Sequence, residues 1–264
     1  MIFLRLSAIL VLLSQALALP YPGLPVYNVT GEWVDPIEFG RQSRADKVPL
    51  RILPLGASIM QGKSSSDGNG FRKSIRLAMR AAGYRVNMVG SKRDGTMWDN
   101  DNEGWPGFVI DEVRDKAKSQ YKVKPNLILV NAGTNDCRRF TDYRRQPARL
   151  EALLEDLFEN IPEVTVLLSG LLPNKDYDEC SKLQNSWYRG VSDKLERQGR
   201  KIVFADTYNG YLTMKDLKDG IHPNDTGYRK FASIWWVAFT TAVKKGYVTP
   251  PSDSSSWFGA SFRG

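Results

Sequence analysis

The stretch Leu50-Arg51-Ile52-Leu53-Pro54-Leu55-Gly56-Ala57-Ser58 decides the fold: an almost wholly apolar run ends in a glycine-flanked turn that carries a serine. Short apolar runs rich in β-branched residues recur at residues 85–90, 126–131, 164–169 and 201–205. Between them, residues 71–82, 108–119, 145–159 and 180–198 space their apolar side chains at helical intervals. Strand alternating with helix is the pattern of a parallel sheet covered on both faces, whose strands read as continuous rather than alternating apolar runs. The expectation is an α/β fold of three layers built on a five-stranded parallel sheet. Pro54 counts against a central strand because it removes a ladder donor, and a bend at the strand end would reconcile it. A last helix is expected from Pro223, a residue suited to a first helical position, through Trp235 and Trp236 to Val243.

The flanks read differently. Residues 1–18 carry Arg5, an apolar run from Ala8 to Leu13 and the small-residue ending Ala16-Leu17-Ala18, which is the pattern of a cleaved signal peptide. That run is too short to span a bilayer. Residues 19–47 form a Pro-rich extended segment and residues 248–264 a Ser, Pro and Gly tail, so one domain is expected over residues 48–247. The protein is expected to be secreted and extracellular, without stable membrane insertion, and a monomer. The formal charge is +8, and loss of Arg5 with the leader makes it +7. The basic residues are dispersed along the chain, so a solvated surface is the plain reading, although anionic polymers or lipid headgroups would be attracted; nucleic acid is not indicated. Cys137 and Cys180 are the only cysteines and would meet an oxidising compartment, either bridged or as two buried thiols. Asn28 and Asn224 begin glycosylation sequons, the first in the entry segment and the second close enough to His222 for a glycan to obstruct a site.

His222 is the one histidine, three residues after Asp219 in Asp219-Gly220-Ile221-His222-Pro223. In open parallel sheets the ligand site lies beyond the carboxyl ends of the strands. That rule gathers the Ser58 turn, the segment Asn102-Glu103-Gly104-Trp105-Pro106-Gly107, the segment Asn131-Ala132-Gly133-Thr134-Asn135-Asp136, and the Asp219–His222 block at one rim. Acyl transfer needs what these supply. Ser58 is the candidate nucleophile and His222 its base, because a serine hydroxyl is too weak an attacker alone. Asp219 would orient the imidazole, and the Ser58 and Gly107 N–H groups with the Asn135 amide would hold an oxyanion. Asp219 also suits a turn or helix cap, and Asp136 suits a structural partner.

These residues resemble the SGNH hydrolases, the superfamily that includes the GDSL esterases: Ser58, Gly107, Asn135 and His222 match its four named residues in order. The phrases PLGASI, GNGFR, VGS, DNDNEGWPG, NAGTND and DGIHPN look most like the fungal secreted carbohydrate esterases of family 3, a group associated with acetylxylan deacetylation. The resemblance implies a three-layer, flavodoxin-like fold and hydrolysis of short acyl esters on polysaccharides through an acyl-enzyme. Two departures stand out: Ala57 replaces the usual acid of Gly-Asp-Ser, and Trp105 stands where carbohydrate esterases carry histidine. Alternatives are a lipid-directed GDSL esterase or lysophospholipase, and a non-catalytic secreted carbohydrate-binding or host-interacting protein. Trp98 and Trp105 are candidate substrate walls, since indole rings stack on sugar faces. Asp99, Asp101 and Glu103 begin like a calcium loop, but Ile110 stands at its twelfth position, so no EF-hand is expected. No zinc site and no cofactor is expected either.

Overall fold

A computed structural model describes residues 47–139 and 143–252. The expected signal peptide, Asn28, most of the expected entry segment and most of the expected C-terminal tail lie outside them. The elements run β1 (Leu50–Gly56), α1 (Ser58–Gln61), α2 (Phe71–Ala81), β2 (Val86–Met88), β3 (Lys92–Arg93), β4 (Asp101–Gly104), α3 (Ile110–Lys118), β5 (Leu127–Asn131), α4 (Thr134–Arg138), α5 (Gln146–Asn160), β6 (Thr165–Ser169), α6 (Asp178–Arg197), β7 (Ile202–Ala205) and α7 (Asp225–Lys244).

The five expected strands are present as β2-β1-β5-β6-β7, all parallel, which is the flavodoxin-like order 2-1-3-4-5. The sheet nevertheless has seven strands and is mixed, because β3 pairs antiparallel with β4 and β4 pairs parallel with the top of β1. Neither added strand is hydrophobic, so an apolar pattern could not reveal them. Asn102 and Glu103 are fully buried in β4 through side-chain partners: Asn102 donates to Asp94 at 3.1 Å, and Glu103 accepts from Ser91 N–H at 2.8 Å.

These two neighbours also explain Pro54, and no terminal bend is needed. Leu50, Ile52 and Gly56 direct their backbone groups toward the β2/β4 side, as Leu50 N to Arg85 O, Val89 N to Ile52 O and Trp105 N to Gly56 O show. Pro54 shares that parity. β2 accompanies β1 only over Leu50–Ile52 and β4 only at Leu55 and Gly56, so the missing donor falls in the gap between them.

Alternation divides each strand between two cores. Leu50, Ile52, Leu127 and Leu129 pack with Phe71, Ile75, Phe231, Trp235 and Phe239 of α2 and α7. Leu53, Leu55, Ile128 and Val130 pack with Val113, Leu150, Leu154, Tyr188 and Leu195 of α3, α5 and α6. Both faces are apolar, which is why the strands read as continuous runs. Trp235 is fully buried and Trp236 nearly so. α7 starts at Asp225 rather than Pro223, because Asn224 is the cap and its Oδ1 accepts from Gly227 N–H at 2.9 Å. None of the described helices is long and apolar enough to cross a membrane.

Candidate active site

The turn after β1 aims Ser58. Ser58 opens α1, and its carbonyl accepts from both Gly62 N–H at 3.1 Å and Lys63 N–H at 3.0 Å, closing a tight turn that Gly62 ends at φ +97°. Ile59 and Met60 anchor the turn in the core. Ala57 contributes no hydrogen-bonding side chain, and other groups fix the loop. Gln61 Nε2 donates to Asp94 at 2.7 Å, and the buried Arg72 donates from Nη2 to the Gln61 carbonyl at 2.6 Å. β4 presses close behind: a Cβ on Gly104 would stand 2.3 Å from the Gln61 nitrogen.

Across the rim, the segment between β7 and α7 presents the base. Lys218 N–H donates to the His222 carbonyl at 2.8 Å, and Leu217 bridges to Pro223, pinching residues 218–222 into a narrow loop. Asp219 has two roles with separate oxygens. Oδ1 accepts from the backbone N–H of Ile221 at 3.1 Å and of His222 at 2.8 Å, which shapes the turn, while Oδ2 lies 2.8 Å from His222 Nδ1. On the other edge of the ring, Nε2 lies 2.8 Å from Ser58 Oγ. The tautomer with the proton on Nδ1 satisfies both contacts: the ring donates to Asp219 and accepts from the serine hydroxyl. Ser58 and His222 are nearly covered, at 8% and 6% exposure. Partial burial disfavours the charged Asp219, but the His222 backbone N–H, the His222 ring and the Ile221 N–H outweigh it and bring its pKa down to about 2.

Gly107 and Asn135 form a third group. Gly107 has φ +84°, and a Cβ there would meet only Arg139 Nη2 at 3.9 Å, so conformation and not space calls for glycine. Its N–H is bound to no carbonyl among the described residues. Asn135 Nδ2 donates to the Phe108 carbonyl at 2.9 Å, which ties the two candidate donors together and leaves the second amide hydrogen for another acceptor. Asp136 supports them from beneath: fully buried, it accepts from Ile110 N–H at 3.1 Å and faces Arg149 at 3.0 Å. Burial raises its pKa to about 6, against the pull of Arg149 and the Ile110 N–H.

Beside Gly107 and Asn135 opens a cavity of about 250 Å³, also lined by Arg138, Arg139 and Tyr177. A disulfide between Cys137 and Cys180 staples its two walls, joining α4 to the start of α6. Trp98 and Trp105 are not in this lining. The Trp98 side chain is on the surface, 53% exposed. Trp105 stacks on Phe108, lies between Lys92 and Lys116, and donates its indole N–H to Glu103 at 2.7 Å. The sequence reading missed Arg138, Arg139, Tyr177 and the loop-binding Arg72; the adjacent arginines directly after Cys137 were the available signal. Among the described residues no three His, Cys, Asp or Glu side chains gather as metal ligands.

The model of the GDSL-like lipase/acylhydrolase family matches residues 55–230, from the end of β1 into α7. The chain belongs to that family. A multidomain esterase of Ruminococcus flavefaciens is 26% identical to this GDSL-like chain over 216 residues, 70% of the chain; the chain spans about 28% of that relative's length. Among solved structures, a family 3 carbohydrate esterase of Clostridium thermocellum aligns with TM-score 0.68 at 23% identity, covering 76% of this chain and 100% of that one. A family 3 carbohydrate esterase from Talaromyces cellulolyticus gives 0.66 at 21%, covering 74% and 99%. At these identities the likeness is one of fold.

Proposed function

We propose that this GDSL-like protein is a secreted serine esterase that removes short acyl groups, chiefly acetyl, from polysaccharides. The observation that carries the reading is the chain Ser58 Oγ, His222 Nε2, His222 Nδ1, Asp219 Oδ2, with 2.8 Å at each of its two contacts, at the end of the sheet where β4 and β5, paired with β1, lead on to Gly107 and Asn135. Ser58 Oγ attacks the ester carbonyl while His222 takes its proton, and Asp219 stabilises the imidazolium. The oxyanion is held by the Ser58 and Gly107 N–H groups and the Asn135 amide. The imidazolium of His222 then protonates the departing sugar oxygen, which leaves as a hydroxyl with the acyl group on Ser58, and His222 next activates a water that releases the acid and restores the serine.

Two features support a short acyl group over a long one. Among the described residues, the cavity next to the oxyanion donors has no aliphatic side chain in its lining, so a fatty chain would gain little by entering it. Tyr177 offers the flat face and polar tip that suit a sugar ring. The disulfide fits an oxidising compartment. The test compares acetate released from acetylated xylan with fatty acid released from phospholipid by the same preparation. Faster acetate release is expected, and a preference for long chains would replace this reading with a lipid-directed one. Lack of both activities, together with inertness to a fluorophosphonate, would indicate a binding protein.

A further inference from the structure

We propose that the ester-bearing substrate is an acidic polysaccharide whose uronate carboxylate is held by Arg138 and Arg139 beside the oxyanion donors. This rests on the esterase reading above and narrows its substrate. The basic residues are dispersed along the sequence, but the fold places five of them on the segments that carry or adjoin Ser58, His222 and the cavity. Arg138 and Arg139 line the cavity with Gly107, Asn135 and Tyr177. Lys63 follows the nucleophile turn and donates its N–H to the Ser58 carbonyl. Lys218 donates to the His222 carbonyl, and Lys175 N–H donates to Gly220 at 2.7 Å while its side chain packs across that glycine. All five side chains are exposed.

Little offsets them. Among the described residues no carboxylate lies in ion-pair reach of Arg138, Lys63, Lys175 or Lys218. Arg139 Nη1 lies 3.6 Å from Glu112 Oε2, an oxygen that already accepts from Val109 N–H, while Nη2 is the arginine atom nearest Gly107. Among the described residues, other nearby carboxylates include Asp136, which faces Arg149, Asp178, which pairs with Lys182, Asp176, Asp225, which accepts from Ser66 N–H, and Asp219, which is held by His222.

A guanidinium presents parallel N–H groups that match a carboxylate, and two of them line this one cavity on a segment tied down by the disulfide. The surrounding lysines add a positive potential that draws in a polyanion and weakens with salt. Phospholipid would satisfy the charge, but its acyl chain meets no aliphatic side chain in the cavity lining among the described residues. A uronate sugar satisfies both the charge and the Tyr177 ring.

The experiment measures acetate release from an acetylated glucuronate-bearing xylan and from the same polymer after carboxyl reduction, at matched acetyl content and at two salt concentrations. The wild type is expected to show a kcat/KM about tenfold higher on the acidic polymer at low salt, shrinking as salt rises. Arg138→Gln is expected to collapse that ratio, chiefly through KM, and Arg138→Lys to restore part of it. Equal rates on the two polymers would overturn the carboxylate site and leave the esterase reading standing. Faster fatty-acid release from anionic phospholipid vesicles than acetate release from either polymer would overturn it in favour of a lipid surface. No release from any substrate, with no adduct at Ser58, would remove the esterase reading and this proposal with it.

Discussion

The Arg72 guanidinium meets the Gln61 carbonyl at 2.6 Å, and through that contact a side chain buried under α2 holds the turn that presents Ser58. The same Nη2 reaches the carbonyls of Gly68 and Asp94, and Nη1 that of Asn100. Burial lowers the Arg72 pKa to about 10, against the attraction of Asp94, so the group remains cationic at neutral pH. It serves where Ala57 cannot. Arg72→Met strands several buried carbonyls and is expected to cost on the order of 3 kcal/mol or more, read from the urea midpoint, and to lower kcat in the protein that still folds. An unshifted midpoint would show that the loop is held otherwise.

Gly107 and Asn135 separate two kinds of loss. Gly107→Ala has room for its methyl but not the conformation, so about 1–2 kcal/mol of strain is expected to turn the N–H away from the oxyanion. Its kcat should therefore fall further than its stability. Asn135→Ala is expected to lose about 10²–10³ in kcat at a stability cost of about 1 kcal/mol for the bond to Phe108. Unfolding curves and single-turnover rates on one small acetyl ester check both. A kcat for Asn135→Ala within a factor of three of wild type would exclude it as an oxyanion donor.

Asp219 sets the sign of the pH response. Its folded pKa of about 2 lies below the ordinary value of 3.8, so its contribution to stability is fully present above about pH 4 and is lost only as pH falls through about 2. Throughout an assay above pH 4 it stays ionised. Protonation of Asp219 should therefore add no step to the acid limb of kcat/KM above pH 4. Asp219→Asn should lower kcat by on the order of 10³–10⁴. A slope of two between pH 4 and 6 would mean that a second group, such as Asp136, titrates in the reaction.

The Cys137–Cys180 bridge closes a 43-residue separation and should stabilise the fold by about 4 kcal/mol in the chain-entropy model. It also holds the arginine wall against Tyr177. Replacing both cysteines with serine is expected to lower Tm by several degrees and to raise KM on polymer more than on a small ester. Calorimetry and paired kinetics read the two effects; an equal KM change on both substrates would detach the bridge from the cavity.

What could be read from the chain followed from which forces leave a linear signature. Burial on both faces makes β1, β5, β6 and β7 continuous apolar runs, and α2, α3, α5 and α6 were visible from spacing to within a few residues. β3 and β4 leave no such mark, because Lys92-Arg93 and the buried Asn102-Glu103 are fixed by side-chain hydrogen bonds. α1 and α4, at four and five residues, are too short for a period to show. Ser58, Asp219 and His222 were legible because a single histidine leaves one choice of base. The Arg138, Arg139 and Tyr177 wall was not, since it forms only when the fold brings α4 beside the start of α6. Trp98 and Trp105 stood out for their ring chemistry, but the cavity is walled by other residues.

The role of Ser58 is tested most directly by treating the protein with a fluorophosphonate and mapping the adduct by mass spectrometry. One phosphonyl group on Ser58 is expected, absent in Ser58→Ala and formed far more slowly in His222→Ala. A folded protein that stays unlabelled, or labels equally well after Ser58→Ala, would contradict the triad.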